Sequence, residues 1–277
     1  MAGVNGGAHI GANLSFTKFL FLVLAREDDT TLSRVRSAGT LVGRGFFNDF
    51  DADGTRDVQP RETIQFLVTD RDLAPRVPSA GAAPGAPPEG LGAARYVIQV
   101  SASYRPRLAE VECELTRRLG QTAQIISIDG AERSPRYTSV EMHEYAYKTA
   151  LPRTSGRLTR HAIILPLSKT SSWWEKTALE RHSYFYPQHD PVTGGHVKGH
   201  ALAAEAGIPT IFRKLYHNPD GYQRSGEYDF VTYFECTDEH RATFDRVCAA
   251  LRDERQNPEW RYVREGPEWR GRRVLRW

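Results

Sequence analysis

The sequence predicts an α+β protein in which helices pack on one face of antiparallel sheets. Two observations lead to this class. Apolar runs of strand length recur along the 277 residues, and amphipathic segments of helix length separate them. The order strand, helix, strand, strand occurs in each half of the chain, which is typical of α+β rather than of alternating α/β proteins.

Composition and charge limit the classes of partner. The chain is 40% hydrophobic and 26% charged, with a formal net charge of +3. This charge is small and dispersed, so no nucleic-acid partner is expected. No apolar stretch approaches membrane-spanning length, and Cys113, Cys236 and Cys248 are scattered as in a reducing compartment. A cytoplasmic location without a membrane partner is therefore expected, or a periplasmic one if the chain has been trimmed.

The first half of the chain is predicted to cover residues 16–150. Residues 1–15 are rich in Gly, Ala and Asn and are predicted to be disordered, and the Pro/Ala/Gly-rich residues 73–94 are predicted to form a flexible insertion. Predicted strands cover residues 19–25, 41–47, 63–69, 95–104, 122–128 and 137–147, and a predicted helix covers residues 106–119.

The second half is predicted to cover residues 158–277 and repeats the same order of elements. Its predicted strands cover residues 159–167, 208–216, 228–236 and 259–264, and its predicted helices lie around 171–184, 197–206 and 238–252. Only a weak repeat relates the two halves.

An acidic loop joins two of the predicted strands of the first half. Four carboxylates alternate around Gly54, at Asp49, Asp51, Asp53 and Asp57. Alternating carboxylates and a glycine turn suit a calcium site, although the twelfth position of the loop is Pro60, and Glu62 would have to replace the usual glutamate. The alternative is a solvated acidic turn.

Two charged residues fall on faces that should be apolar. Period-2 alternation places Arg213 on one strand face with Ile211 and Leu215. A guanidinium there needs an anion, unless it reaches water at the sheet rim. Glu254 extends the apolar stripe of the helix around residues 238–252, so its carboxylate needs a donor unless the helix end is solvated.

Five motifs follow one another in the second half of the chain: Lys169 before Trp173-Trp174, His200 thirteen residues before Arg213, the strand Arg213-Lys-Leu-Tyr-His217, the strand Asp229-Phe-Val-Thr-Tyr-Phe-Glu235, and Glu254. In these motifs and their order the chain resembles the chlorite dismutase family, haem proteins related to the coproheme decarboxylases. The resemblance is specific from about residue 160 to residue 273 and weak before it.

The resemblance implies a fold and a set of roles. The fold is two ferredoxin-like halves forming a dimeric α+β barrel, with haem b in the second half and a ring-shaped homopentamer as the assembly. His200 would bind the iron and Glu254 would accept its other ring N–H. Lys169 would meet a propionate, Trp173 and Trp174 would pack beside the ring, and Tyr145 would line the pocket from the first half.

The identity of the iron ligand is open on spacing alone. The 26 residues from Trp174 to His200 exceed the family's spacing, so residues 185–195 form an insertion. Counting forward favours His189, and counting back from Arg213 favours His200. Prolines and glycines make the insertion a loop, which favours His200 on the helix beyond it. A zinc pair of His196 and His200 lacks a completing Glu or Cys.

The function implied is that of a haem b-dependent chlorite O2-lyase, which converts chlorite to chloride and dioxygen while Arg213 draws in the anion and retains hypochlorite. One alternative is a coproheme decarboxylase, in which Tyr145 or Tyr147 would carry oxidising equivalents; the ending Gly271-Arg-Arg leans that way. Another is a haem-binding or sensing protein without turnover.

Overall fold

A computed structural model describes residues 15–48, 50, 62–70, 90–133, 151, 154, 156–189 and 194–277. The N-terminal segment 1–14, most of the insertion 73–94 and the predicted strand 137–147 lie outside these ranges. The same holds for Tyr145 and for Asp49, Asp51, Asp53 and Asp57. Their predicted roles stay predictions.

Twelve strands occur in the described ranges, ten of them in one sheet. They are β1 (Phe16–Leu24), β2 (Phe47–Asn48), β3 (Glu62–Thr69), β4 (Tyr96–Ala102), β5 (Ala123–Ala131), β6 (His161–Lys169), β7 (Gln188–His189), β8 (His196–Val197), β9 (Ile211–His217), β10 (Phe230–Cys236), β11 (Val263–Glu265) and β12 (Trp269–Val274). Strands β7 and β8 form a separate two-stranded hairpin.

Six α-helices accompany these strands in the described part of the chain. They are α1 (Asp29–Val42), α2 (Arg105–Leu119), α3 (Ser171–Trp174), α4 (Ala178–Ser183), α5 (Gly199–Ala204) and α6 (Arg241–Arg252). A 3-10 helix, Pro258–Tyr262, follows α6.

The two halves share one strand order. In the first half the pairings run β5-β1-β4-β3, and in the second they run β12-β6-β10-β9. When only the four longest strands of each half are numbered, both orders read fourth, first, third, second, with helices in the connections. The predicted α+β fold with two ferredoxin-like halves is confirmed. The half boundaries at residues 150 and 158 stay predictions.

The halves meet at two seams. Strand β12 pairs with β3 over four residues, and β5 pairs with β9 through the single pair Ala131 and His217. At the first seam a Cβ on Gly271 would collide with the Val68 carbonyl oxygen and the Trp269 ring, so only glycine lets these backbones approach. Because the second seam is one residue pair, closure of the predicted barrel stays a prediction.

Three apolar clusters stabilise this architecture. Helices α1 and α2 pack on the first-half sheet, and α6 packs on the second-half sheet around Phe244, Val247 and Ile163. A third cluster between the halves includes Phe19, Tyr216, Tyr233 and Trp269. Strand β1 is apolar from Phe19 to Leu24 because alternate residues there face the helices and the cluster between the halves.

Several predicted elements were wrong. Residues 41–47 are not a strand, because α1 continues to Val42 and only Phe47–Asn48 pairs with β3. The insertion 73–94 does not extend to its predicted end, since Leu91 is 1% exposed in the core. Residues 259–264 begin as a 3-10 helix, and strand β12 had no predicted counterpart.

Candidate functional site

The site is organised around one imidazole and one buried carboxylate. Nδ1 of His200 lies 2.7 Å from Oε2 of Glu259. An ionised carboxylate only accepts hydrogen bonds, so the ring nitrogen is the donor. The Glu259 side chain is 6% exposed and that of His200 is 23% exposed. The bond orients the His200 ring, with Nδ1 toward Glu259 and Nε2 on the opposite edge of the ring.

A lysine balances the charge of this carboxylate. The Lys169 ammonium forms an ion pair with Oε1 of Glu259, and its side chain is 8% exposed. Burial favours the neutral acid, but the charges of Lys169 and His200 and their hydrogen bonds outweigh it and lower the pKa of Glu259 to about 2. Lys169 is therefore the counter-ion of Glu259, and the ionised carboxylate accepts the hydrogen bond from His200.

Local backbone geometry brings His200 to Glu259. Gly199 begins α5 with φ +66°, and a Cβ there would collide with the carbonyl oxygen of Tyr186. Its N–H donates to the carbonyl oxygen of Gln256 (3.0 Å), which ties α5 to the segment before Glu259. Buried Asn257 donates to the Leu251 carbonyl oxygen at the end of α6 and precedes the 3-10 helix that carries Glu259.

The predicted role of Glu254 was wrong. Helix α6 ends at Arg252, so the apolar stripe stops before Glu254, whose side chain is exposed in the following turn. The carboxylate that reaches His200 is Glu259, five residues further on. Sequence reasoning missed it because residues 259–264 were interpreted as a strand, although Asn257-Pro258 is a start signal for a short helix.

Lys169 and Trp173 form the inner wall of the site. The Lys169 ammonium pairs with Glu259, and its predicted contact with a propionate stays a prediction. The same ammonium lies 4.2 Å from the centroid of the Trp173 ring, which is 1% exposed. Trp173 therefore belongs to the packed support of the ion pair.

Trp174 belongs to a second aromatic group beside the first. Its ring stacks on Tyr222 with centroids 4.3 Å apart, and its Nε1 donates to Oδ2 of Asp229 (3.3 Å). Asp229 is 1% exposed and also accepts the backbone N–H of Lys169 (2.8 Å). Asp229 was missed as a positioning residue and links both tryptophan groups.

Arg213 lies on the same sheet face as Lys169. It pairs with Phe234, which pairs with Ile163 on β6, and Lys169 stands on the same side six residues further along β6. At about 3.3 Å per residue this separation is about 20 Å along the strand. Arg213 is half-buried.

The sheet surface between Arg213 and Lys169 is mostly apolar. It presents Leu165, Thr232, Leu215 and Phe230, of which the first two are 4% and 6% exposed. Arg213 therefore lies at one end of a mostly apolar sheet face, and the hydrogen-bonded group of His200, Glu259 and Lys169 lies at the other end.

The alternative ligands are separate from this arrangement. His189 is exposed on the β7–β8 hairpin, where its ring faces His196 at 5.4 Å between centroids. Within the described ranges no group of three or more His, Cys, Asp or Glu side chains is arranged to hold a metal ion. In those ranges, too, no helix is both long and apolar enough to cross a bilayer.

A buried histidine near Trp174 makes stability depend on pH. His217 is 1% exposed, and its Nδ1 lies 2.8 Å from the Tyr222 hydroxyl oxygen. Burial, and to a smaller extent the charge of Arg133, lower the pKa of His217 from 6.5 to about 4. Between these values the unfolded chain binds a proton that the folded chain excludes, so stability is lost as pH falls through this window.

We expect His217 to account for a loss of about 3 kcal/mol in the free energy of unfolding across that window. Chemical unfolding of the wild type and of His217→Gln between pH 7 and pH 4 checks this. The variant should show a pH dependence shallower by that amount. Parallel curves for the two proteins would contradict the assignment.

Comparisons with known proteins identify a fold. No protein-family model and no curated protein matches the chain. Solved structures of the chlorite dismutase from Candidatus Nitrospira defluvii do match. The structure of its complex with imidazole has 19% sequence identity to this chain and a TM-score of 0.62, and the match covers 94% of this chain and 91% of that chain. The cyanide complex of a variant of the same enzyme has 18% sequence identity and a TM-score of 0.62, and the match covers 94% of this chain and 90% of that chain.

The match extends over nearly the whole of both chains, so it includes both halves of the fold. At this level of identity the likeness concerns the fold. The protein described here has the fold of the chlorite dismutases.

Proposed function

We propose that the protein is a haem b-dependent chlorite O2-lyase, converting chlorite to chloride and dioxygen. The observation that carries the proposal is the hydrogen-bonded series from His200 through Glu259 to Lys169, on the sheet face that also carries Arg213. The fold shared with the chlorite dismutase supports it.

The residues present fit a haem. Nδ1 of His200 is taken by Glu259, and no hydrogen-bond partner of Nε2 occurs among the described residues, so Nε2 is available for iron. The hydrogen bond from Nδ1–H to Glu259 makes the His200 imidazole a stronger electron donor and fixes the orientation of its ring. When bound, the haem would supply a redox-active iron for oxygen transfer from chlorite.

The chain's own groups have separate tasks in this reaction. Lys169 keeps Glu259 ionised, so that the carboxylate accepts a hydrogen bond from Nδ1–H of His200. Arg213 carries a charge that it cannot lose, which attracts chlorite and retains the hypochlorite anion beside the cofactor. Trp174 packs at the side of the site and is fixed by Asp229.

The segment Gly271-Arg-Arg gives little support to the alternative function, a coproheme decarboxylase. The ending Gly271-Arg-Arg is engaged in ion pairs within the fold: Arg272 with Asp70 at 3.0 Å, and Arg273 with Glu235 at 2.7 Å. Both guanidiniums form ion pairs with carboxylates of the protein and stabilise β12. They therefore do not favour binding of a porphyrin propionate.

The test compares two substrates on the wild-type chain. Protein loaded with haem b should evolve oxygen when chlorite is added. Protein loaded with iron coproporphyrin and treated with peroxide should show no loss of propionate carboxyl groups by mass spectrometry. Mass loss without oxygen evolution would establish the decarboxylase instead, and haem uptake with neither activity would indicate a binding or sensing protein.

The homopentamer is part of the same proposal and rests on the family resemblance. Light scattering coupled to size-exclusion chromatography measures the mass of the assembly against 31.2 kDa for one chain. The structural calcium site around Asp49–Asp57 and the contact of Tyr145 with haem also stay proposals.

A further inference from the structure

An aromatic cluster beside the Lys169–Glu259 pair has no task in the proposed reaction. The buried Trp173 ring lies 5.6 Å from the centroids of both Tyr184 and Tyr262. The two tyrosine hydroxyl oxygens are 3.2 Å apart, with their rings edge to face at 5.5 Å. Both tyrosines are half-buried, so the cluster runs from the interior to the surface.

The cluster is in contact with the imidazole group through a continuous set of neighbours. Trp173 lies under the Lys169 ammonium, Lys169 pairs with Glu259, and Glu259 bonds to His200. The backbone carbonyl oxygen of Tyr184 also accepts the N–H of His200 at 3.1 Å. These contacts connect the outer end of the cluster to the ligand side of the site without a gap.

We propose that Trp173, Tyr184 and Tyr262 form an electron relay that carries excess oxidising equivalents from the His200 side to the surface, and that peroxide joins Tyr184 and Tyr262 as a dityrosine. The proposal rests on haem binding at His200 and does not depend on chlorite being the substrate.

Charges around the cluster set the direction of transfer. The Lys169 ammonium over the Trp173 ring disfavours a positive charge on that ring, so Trp173 is a point of transit and the tyrosines are the end. Lys176 lies 5.0 Å from the centroid of the Tyr262 ring. Hydrogen bonds from Tyr184 and Lys176 lower the pKa of Tyr262, which eases release of its proton to water.

The chemistry balances for a two-electron oxidant. Hydrogen peroxide takes two electrons and two protons, its O–O bond breaks, and two water molecules form. Tyr184 and Tyr262 each give one electron through Trp173 and one proton to solvent, with Tyr184 passing its proton along the hydrogen bond to Tyr262. The two phenoxyl radicals couple through ring carbons beside the oxygens, and the protein loses two hydrogen atoms.

The test treats the haem-loaded full chain with stoichiometric peroxide, followed by digestion and mass spectrometry. We expect a linked pair of peptides containing Tyr184 and Tyr262, lighter by two hydrogen atoms, with dityrosine fluorescence. The yield should fall at least tenfold in Trp173→Phe, and the product should be absent in Tyr184→Phe. Tyr104→Phe is the matched control, because Tyr104 is 65% exposed and outside the cluster, and its yield should equal that of the wild type.

A second arm separates this proposal from the proposed function. Cofactor-free protein is oxidised with a photoexcited ruthenium complex and persulfate, which needs no haem. The same cross-link should form in preference to modification of the more exposed Tyr104. Failure to take up haem would overturn the proposed function, while cross-linking in this arm would still support the tyrosine pair as the end of the relay. An undiminished yield in peroxide-treated Trp173→Phe, or modification of Tyr104 first, would overturn the relay.

Discussion

Replacing Arg213 with alanine is expected to lower kcat/KM for chlorite by about 100-fold or more, the usual effect of removing a group that stabilises developing negative charge in a water-poor site. The half-buried guanidinium lies on an apolar sheet face, where its charge acts more strongly on an anion than it would in water. Haem binding should persist, because Arg213 is far along the sheet from Lys169 and Glu259. Oxygen evolution and the optical spectrum measure the two effects separately.

The neighbouring residue supplies a matched control. Lys214 points to the opposite face of β9, where its ammonium pairs with Glu132 at 2.5 Å. Lys214→Gln removes an adjacent cation without touching the proposed site and should leave oxygen evolution unchanged. Arg213→Lys keeps the charge but loses the planar donor group, so it should recover part of the activity. Equal loss in the Arg213 and Lys214 variants would show that only general surface charge matters.

Replacing Glu259 with glutamine is expected to destabilise the cofactor-free protein by about 3–5 kcal/mol, because it leaves a buried ammonium without its anion. Glutamine has nearly the same volume, so the effect isolates the charge. The variant should also bind haem less tightly, since the ring orientation of His200 is no longer fixed by a carboxylate. Denaturant unfolding and haem titration measure the two consequences.

Two further variants make this prediction specific. Glu254→Gln changes an exposed carboxylate five residues away and should alter stability by no more than about 0.5 kcal/mol. Adding Lys169→Met to Glu259→Gln removes the unpaired cation and should restore much of the lost stability. Additive losses in the double variant would mean that Lys169 and Glu259 do not act as a pair.

Much of the fold could be predicted from periodicity. Strands β1, β3, β9 and β10 are strongly apolar or alternate regularly, and helices α2 and α6 carry clear apolar stripes, so their existence was predictable. Helix α1 was missed despite the Asp28 side chain, which caps it by accepting the N–H of Thr31. Its apolar stripe is weaker than those of α2 and α6, so Val35 and Val42, which are buried in the core, did not stand out.

Strand β12 was missed for a different physical reason. It is short and rich in arginine, and its apolar content is limited to Trp269 and Val274. Its arginines form ion pairs, such as Arg273 with Glu235, that depend on residues distant in the sequence. A local pattern cannot show such partners, and neither could it show that the halves join at Gly271.

For the site, the motifs indicated residues but not the contacts between their atoms. The structure places His200, Lys169 and Trp173 in one cluster, and their roles in haem binding stay predictions. It assigns the carboxylate to Glu259 because α6 ends before Glu254 and a 3-10 turn returns the chain toward α5. That choice depends on where one helix ends, and helix ends are the least certain part of any pattern.

In the proposed function, His200 binds the iron of the haem. The Soret absorption of the wild type, His200→Ala and His189→Ala, each loaded with haem b, distinguishes this ligand from its alternative. We expect His189→Ala to match the wild type, whereas His200→Ala should show a shifted and weakened band that added imidazole restores. Identical bands in all three proteins, or a change in His189→Ala alone, would contradict it.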